Sequence, residues 1–244
     1  MKTALYGRFV FGASAVLFGV LALMWHDADT WQSVARIWRL PAGTIIGECL
    51  MIALIAGGLA LLYPRTARAA SVVLIVVYAI FSLACIPAIV AAPITYAPYV
   101  GFFEMLSLFC GAFAVYAVTE PNAARATSYG RAARFGMGLC AVSFTLAQIF
   151  YLHFTSTLVP TWIPPNQMFW AILTTIAFGL AAIAILTGIK ARLALRLMTL
   201  MLVLFGLLVW VPMVATQSGS HGNWSEFALN FLIAGAAWVV AELP

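Results

Sequence analysis

The sequence predicts an all-α membrane protein with eight transmembrane helices, arranged as two parallel four-helix bundle repeats. Of its 244 residues, 65% are hydrophobic and 8% are charged, and the mean hydropathy is +1.06. Apolar runs of about 20 residues, long enough to cross the hydrocarbon of a bilayer, recur along the chain. Because backbone groups inside lipid must be paired within their own segment, and the runs lack the alternation of a β-barrel, they are predicted to be helices.

The eight predicted spans follow one another with short polar connections. The first is preceded by basic residues and so looks like a signal peptide, but a similar segment recurs in mid-chain, where it cannot be cleaved, so we predict a true span. The spans are expected near 6–25, 43–63, 70–92, 99–118, 131–152, 167–188, 194–215 and 225–241.

Basic residues predict the orientation of these spans. If the eight helices alternate, only Arg36 and Arg39 fall on one side, and the other side carries Lys2, Arg8, Arg65, Arg68, Arg125, Arg131, Arg134, Lys190, Arg192 and Arg196. By the positive-inside rule, both termini are predicted to be cytoplasmic in a multi-pass inner (plasma) membrane protein. The net charge of +5 is then a topology signal, so we expect a lipid bilayer and no nucleic acid as partner.

The two halves of the chain resemble each other. The segment YGRFVFGASAVLFGVLALMWH from Tyr6 matches YGRAARFGMGLCAVSFTLAQIFYLH from Tyr129. Similar pairs continue to the last span, where FFEMLSLFCGAFAVYA with Glu104 matches WSEFALNFLIAGAAWVVA with Glu226. We therefore predict a first repeat at 1–120 and a second at 121–244, in the same orientation because each holds an even number of helices. Pro87 and Pro212 match in the third span of each half, where they either open a crevice or only shape packing.

Two stretches carry a family resemblance. The first is IIGECLMIALIAGGLALLYPRTARAAS, with its Gly-Glu, small residues and Pro-Arg. The second is LHFTSTLVPTWIPPNQMFWAILTTIAFGLAAIAILTGIKARLALRLMTLML, with its His-Phe and Val-Pro-x-Trp-x-Pro. Both stretches resemble the DoxX family of small four-helix membrane proteins. The resemblance implies a four-helix bundle per copy and a link to membrane redox complexes. The second copy lacks the Gly-Glu, since Glu48 aligns with Ile172.

Polar residues concentrate at the predicted outer face, beginning with the stretch MWHDADTWQSVARIWRLPAGTIIGE. The candidate cofactor-binding site consists of Glu48, His26, His153, Glu104, Arg36 and Arg39, with Asp27 and Asp29 nearby. An ionisable group within a membrane helix is costly and therefore often functional. His26 and His153 either face each other across the repeat axis to bind a quinone oxygen or an oxyanion, or belong to an interfacial aromatic belt.

Other polar residues have simpler expected roles. Glu226 follows Asn223 and Trp224, which predicts an N-terminal cap by Asn223 with Glu226 in a capping-box position, and Glu104 is interpreted similarly. His221 is expected in a loop without a role. The cysteines lie singly in separate spans, so we expect free buried thiols rather than a redox motif or a metal site: Cys49, Cys85, Cys110 and Cys140.

The leading functional hypothesis is a component of a redox or quinone-linked membrane system. Quinone is its candidate cofactor, and a membrane or periplasmic redox protein is its candidate partner. The alternatives are a small-molecule or lipid transporter or binding protein that uses the cleft between the repeats, and a membrane scaffold without catalysis. No catalytic residue can be assigned, and whether the chain is an enzyme stays open.

Overall fold

The computed structural model describes residues 2–26 and 30–243, and within them the chain is helical, with no strand. Asp27 and Asp29 lie outside the described residues. A π-helical segment spans Gly206–Trp210. The helices are α1 (Lys2–Met24), α2 (Gln32–Trp38), α3 (Gly43–Leu61), α4 (Ala67–Ala91), α5 (Ala97–Val118), α6 (Ala123–Phe150), α7 (Leu152–Leu158), α8 (Gln167–Thr187), α9 (Ala191–Phe205), α10 (Val211–Thr216) and α11 (His221–Ala241).

Eight stretches of the described chain are long and apolar enough to cross a membrane, which confirms the predicted class. They are α1, α3, α4, α5, α6, α8, the continuous run from α9 to α10, and α11. The short helices α2 and α7, which hydropathy did not predict, follow the first span of each half. α2 packs on α3 and α4, whereas α7 packs mainly on α8.

The spans form a closed ring in which each helix packs on its chain neighbours and α11 returns to α1. The pairings match between the halves: α1 with α3 corresponds to α6 with α8, and α5 with α6 corresponds to α11 with α1. The fourth span of each half therefore packs on the first span of the other half, and α5 also meets α11. The division at residue 120 into two repeats remains a prediction.

Glycine and alanine let α11 approach its neighbours closely. A Cβ added at Gly235 would lie 2.6 Å from the backbone nitrogen of Phe11, and one at Gly111 would lie 2.5 Å from the Cβ of Ala236. Both distances are shorter than a carbon contact allows, so the small residues are what permit helix contact at this depth. As a result α11 is the most buried span, and 14 of its 21 residues are buried.

Both ends of the chain lie at one end of the bundle, which we call the terminal end. The ring of Tyr6 lies 6.4 Å from that of Trp238, and Arg192 donates a hydrogen bond to the Leu243 carbonyl at 2.9 Å. The opposite end, which we call the distal end, carries residues 92–96 and 217–220. Which of these ends is cytoplasmic remains a prediction.

The two matched prolines have different effects. α4 continues through Pro87, whereas Pro212 follows the π-helical segment. A proline lacks the N–H that its helix position would use and crowds the preceding turn, and a wider π turn is one way to accommodate that defect. Only the second half therefore has an irregular third span.

Candidate ligand-binding cavity

A cavity of about 510 Å³ lies inside the distal end of the bundle, and we call it the polar cavity. Residues of α2, α4, α5, α6 and α11 line it, together with residues just before α2 and on α7. A smaller space of about 170 Å³, the deep branch, continues toward α8 and α9 and shares several wall residues with the polar cavity. Helices from both halves thus line two adjoining spaces.

Two carboxylates, Glu104 on α5 and Glu226 on α11, line both the polar cavity and the deep branch. They are the eighth residue of α5 and the sixth of α11, which places them about 10 Å and 8 Å along their helices. Each side chain influences the other electrostatically. Glu226 is an exposed residue, and the polar cavity that it lines is partly open.

Neither carboxylate has an ion-paired or hydrogen-bonded partner within residues 2–26 and 30–243. An ionised carboxylate accepts hydrogen bonds and donates none. Glu104 and Glu226 can therefore accept from a ligand that enters the cavity.

Several other polar groups of the wall also lack partners. Within the described part of the chain, the hydroxyls of Thr30, Ser33 and Ser225 and the indole nitrogen of Trp31 are buried without a hydrogen bond, and each of these residues lines the polar cavity. All four residues are at least 95% buried. A buried polar group without a partner costs about 1–3 kcal/mol. Rotation about χ1 re-aims a serine or threonine hydroxyl, so a polar ligand in the cavity would recover part of this cost.

Gln148 on α6 contributes a further polar group. Its Oε1 lies 3.2 Å from Thr174 Oγ1 and 3.0 Å from Thr175 Oγ1 on α8, so these contacts hold one end of the amide. Gln148 also lines both the polar cavity and the deep branch. Asn230, whose Oδ1 is buried without a partner, lines the deep branch.

The structure separates the predicted outer-face residues into different places. His26 and Glu48 come together, with Nε2 and Oε1 3.6 Å apart, in an exposed recess with Trp38 and Thr44. This recess has a volume of about 370 Å³, and the side chains of His26 and Glu48 are both more than 40% exposed. It is a surface feature formed by the residue His26 just after α1, the end of α2 and the start of α3, and it shares no wall residue with the polar cavity.

The remaining predicted residues divide further. Arg36 lies within hydrogen-bonding distance of Cys85, and Cys85 lines the polar cavity. Arg36 itself does not line the cavity. Arg39 is exposed at the end of α2, and His153 is exposed on α7 and lines neither the polar cavity nor the deep branch. Glu104 is thus the one member of the predicted set whose side chain lines the polar cavity.

Two predictions about α11 are wrong. Ser220, not Asn223, caps the helix, because its side chain accepts from the Asn223 backbone, so Glu226 lies beyond the first turn and faces the cavity. His221 is not in a loop. It begins α11, is 3% exposed and stacks on Trp25 at 4.8 Å.

The capping interpretation of Glu104 is also wrong, since α5 begins at Ala97. The matched positions of Glu104 and Glu226 in the repeat alignment were the signal that could have identified the pair.

The cysteines are free thiols, but their burial differs. Cys85, Cys110 and Cys140 are buried as expected, whereas Cys49 is exposed on the outer surface of α3. The thiols of Cys110 on α5 and Cys140 on α6 lie within hydrogen-bonding distance of each other, a proximity that their separation in sequence did not suggest.

Among the described residues, no group of three or more histidine, cysteine, aspartate or glutamate side chains is arranged to hold a metal ion. Comparisons with family models, curated proteins and solved structures found no match to this chain. The fold and the cavity therefore define the class by themselves. The protein is a multi-pass, all-α membrane protein with a polar cavity inside the bundle.

Proposed function

We propose that this protein binds a small molecule in the polar cavity through the carboxylates of Glu104 and Glu226. The observation that carries the proposal is this pair, placed by matching spans of the two halves on one interior space. Isolated carboxylates inside a membrane bundle are costly and mark ligand or ion sites more often than packing sites. A scaffold without a ligand has no use for them.

The chemistry of the wall restricts the ligand. Carboxylates accept hydrogen bonds, and the hydroxyls of Thr30, Ser33 and Ser225 both donate and accept. A head group with hydroxyl or amino donors satisfies these groups best. A quinol has such hydroxyls, so the redox, quinone-linked form of the hypothesis stays within this proposal. The predictions of a DoxX-like family, an inner-membrane location and a redox partner protein are part of this quinone-linked hypothesis.

The first experiment is mass spectrometry of an organic extract from the protein purified in a mild detergent. We expect one co-purifying molecule at near one per chain in the wild type. In the double variant Glu104→Gln and Glu226→Gln, the bound amount should fall at least severalfold, because a neutral amide loses the charge-assisted hydrogen bonds. Gel filtration and a melting curve show whether the variant is folded.

Glu48→Gln is the matched control, since Glu48 is also a carboxylate in a spanning helix but lies in the exposed recess with His26. It should retain the ligand. Equal retention in all three proteins would overturn the proposal. Loss in Glu48→Gln alone would transfer the site to the recess predicted from the sequence.

A further inference from the structure

An apolar groove lies beside the polar cavity on the second half of the protein. It has a volume of about 520 Å³ and lies between α8, α9 and the chain that follows α7. Its wall is almost wholly apolar, and four of its leucines are between 42% and 56% exposed: Leu173, Leu197, Leu200 and Leu204. These exposed leucines belong to membrane-spanning helices, so the groove opens toward lipid rather than water.

The groove adjoins the interior spaces and shares wall residues with them. Gln148 lines the groove, the polar cavity and the deep branch, and Thr155 lines the groove and the polar cavity. Phe205 and Trp210 line the groove and the deep branch. A molecule in the groove and one in the interior would touch the same side chains.

The wall at this junction includes the π-helical segment. Leu208, Val209 and Trp210 of that segment line the groove. Pro212 follows it and donates no backbone hydrogen bond, so the helical bonding is already irregular where groove and interior meet. Single π turns of this kind are frequent at functional sites.

We propose that the ligand is an amphipathic lipid that enters sideways from the bilayer, with its apolar chain in the groove and its hydrogen-bond-donating head against Glu104 and Glu226. This inference rests on the proposed function and adds to it the apolar chain of the ligand and the route by which the ligand enters. The groove is apolar, the cavity is polar, and Gln148 lines both. This arrangement matches the apolar chain and the polar head of such a molecule. Isoprenoid quinols and amine-headed lipids share this chemistry.

The test is a binding measurement on the full chain in bilayer nanodiscs, with two pairs of probes. Decyl hydroquinone is compared with hydroquinone, and dodecylamine with ethylamine. We expect one chain-bearing probe to bind at least tenfold more tightly in the protein discs than its chainless partner, after subtraction of empty discs. The probe that binds distinguishes a quinol from an amine source.

Ala177→Trp places an indole in the groove, and we expect it to weaken the chain-bearing probe about tenfold while leaving the chainless probe unchanged. The control is Leu180→Trp on the same helix, whose side chain is 63% exposed and does not line the groove. It should bind like the wild type, and its melting temperature controls for folding.

The outcomes separate the two proposals. If a chainless probe binds, depends on Glu104 and Glu226, and gains nothing from a chain, the lateral route is overturned and the cavity proposal stands. If Ala177→Trp has no effect on a probe that does gain from its chain, the groove is not where the chain lies. If no probe depends on the carboxylates, both proposals fail.

Discussion

The five glutamates of this chain, all within the described residues, occupy very different environments. Glu104 and Glu226 face the polar cavity without partners, whereas Glu48 meets His26 in an exposed recess. Glu120 lies at the terminal end, where Arg68 donates to its Oε2 at 2.8 Å and its Oε1 accepts from the Asn122 backbone at 3.2 Å. The same residue type therefore lines a cavity, forms a surface pair and links the end of α5 to α4.

The hydrogen bond from Arg68, with a second from the Asn122 backbone, holds the pKa of Glu120 below its usual value of about 4.5. A lowered pKa in the folded state means that the ion pair stabilises the fold above the unfolded pKa. That contribution is lost as the pH falls below about 4.5 and through the folded pKa.

We expect Glu120→Gln to lower the melting temperature at pH 7 and to have a smaller effect in acid. Melting curves of both proteins at neutral pH and near pH 3 measure this difference. An equal difference at both pH values would show that the ion pair does not contribute.

At the scale of elements, α11 is the helix on which the two halves depend. It packs on α1, α5 and α9, and its small residues bring it into backbone contact with α1. Its first two turns carry Glu226 to the polar cavity and its later turns form the buried contact with α1 and α5. One helix thus positions the site and closes the ring.

Gly235→Ala tests this role of α11. Alanine favours a helix over glycine by about 1 kcal/mol, so the substitution would stabilise an uncrowded helix. Here the new Cβ would lie 2.6 Å from the Phe11 backbone, and we expect the crowding to dominate, with a net loss of about 1–3 kcal/mol.

Thermal melting in detergent checks the sign of this effect. Gly219→Ala is the control, because a Cβ there meets nothing within 4 Å, and it should melt like the wild type. A rise in melting temperature for Gly235→Ala would contradict the close contact between α1 and α11.

At the scale of the whole molecule, the two halves are held together because the fourth span of each half packs on the first span of the other. α1 of the first half packs extensively on α11 of the second, and α5 packs on α6 across the predicted boundary at residue 120. The polar cavity takes wall residues from both halves, including Glu104 from the first and Glu226 from the second. Neither half can form the site alone.

We expect residues 1–120 and 121–244, produced together as separate chains, to assemble and co-purify through a tag on one of them. Each fragment produced alone should be aggregated or degraded, since the faces of α1 and α11 that meet would be left without a partner. Gly235→Ala in the second fragment should reduce the recovered complex. Stable, monodisperse single fragments would show instead that each repeat folds independently.

The sequence alone determined the membrane class and the eight spans, because these depend on local hydropathy. It also determined the matched positions of Glu104 and Glu226, because these depend on repetition along the chain. The start of α11 was mispredicted, because the polar residues from Ser220 to Asn223 indicate a loop until the Ser220 cap is seen. The separation of the outer-face residues into an exposed recess and an interior cavity was decided only by the tertiary structure. Which side chains share a cavity depends on how helices distant in sequence rotate and pack against one another, and close contacts such as that of Gly235 with Phe11 set this packing.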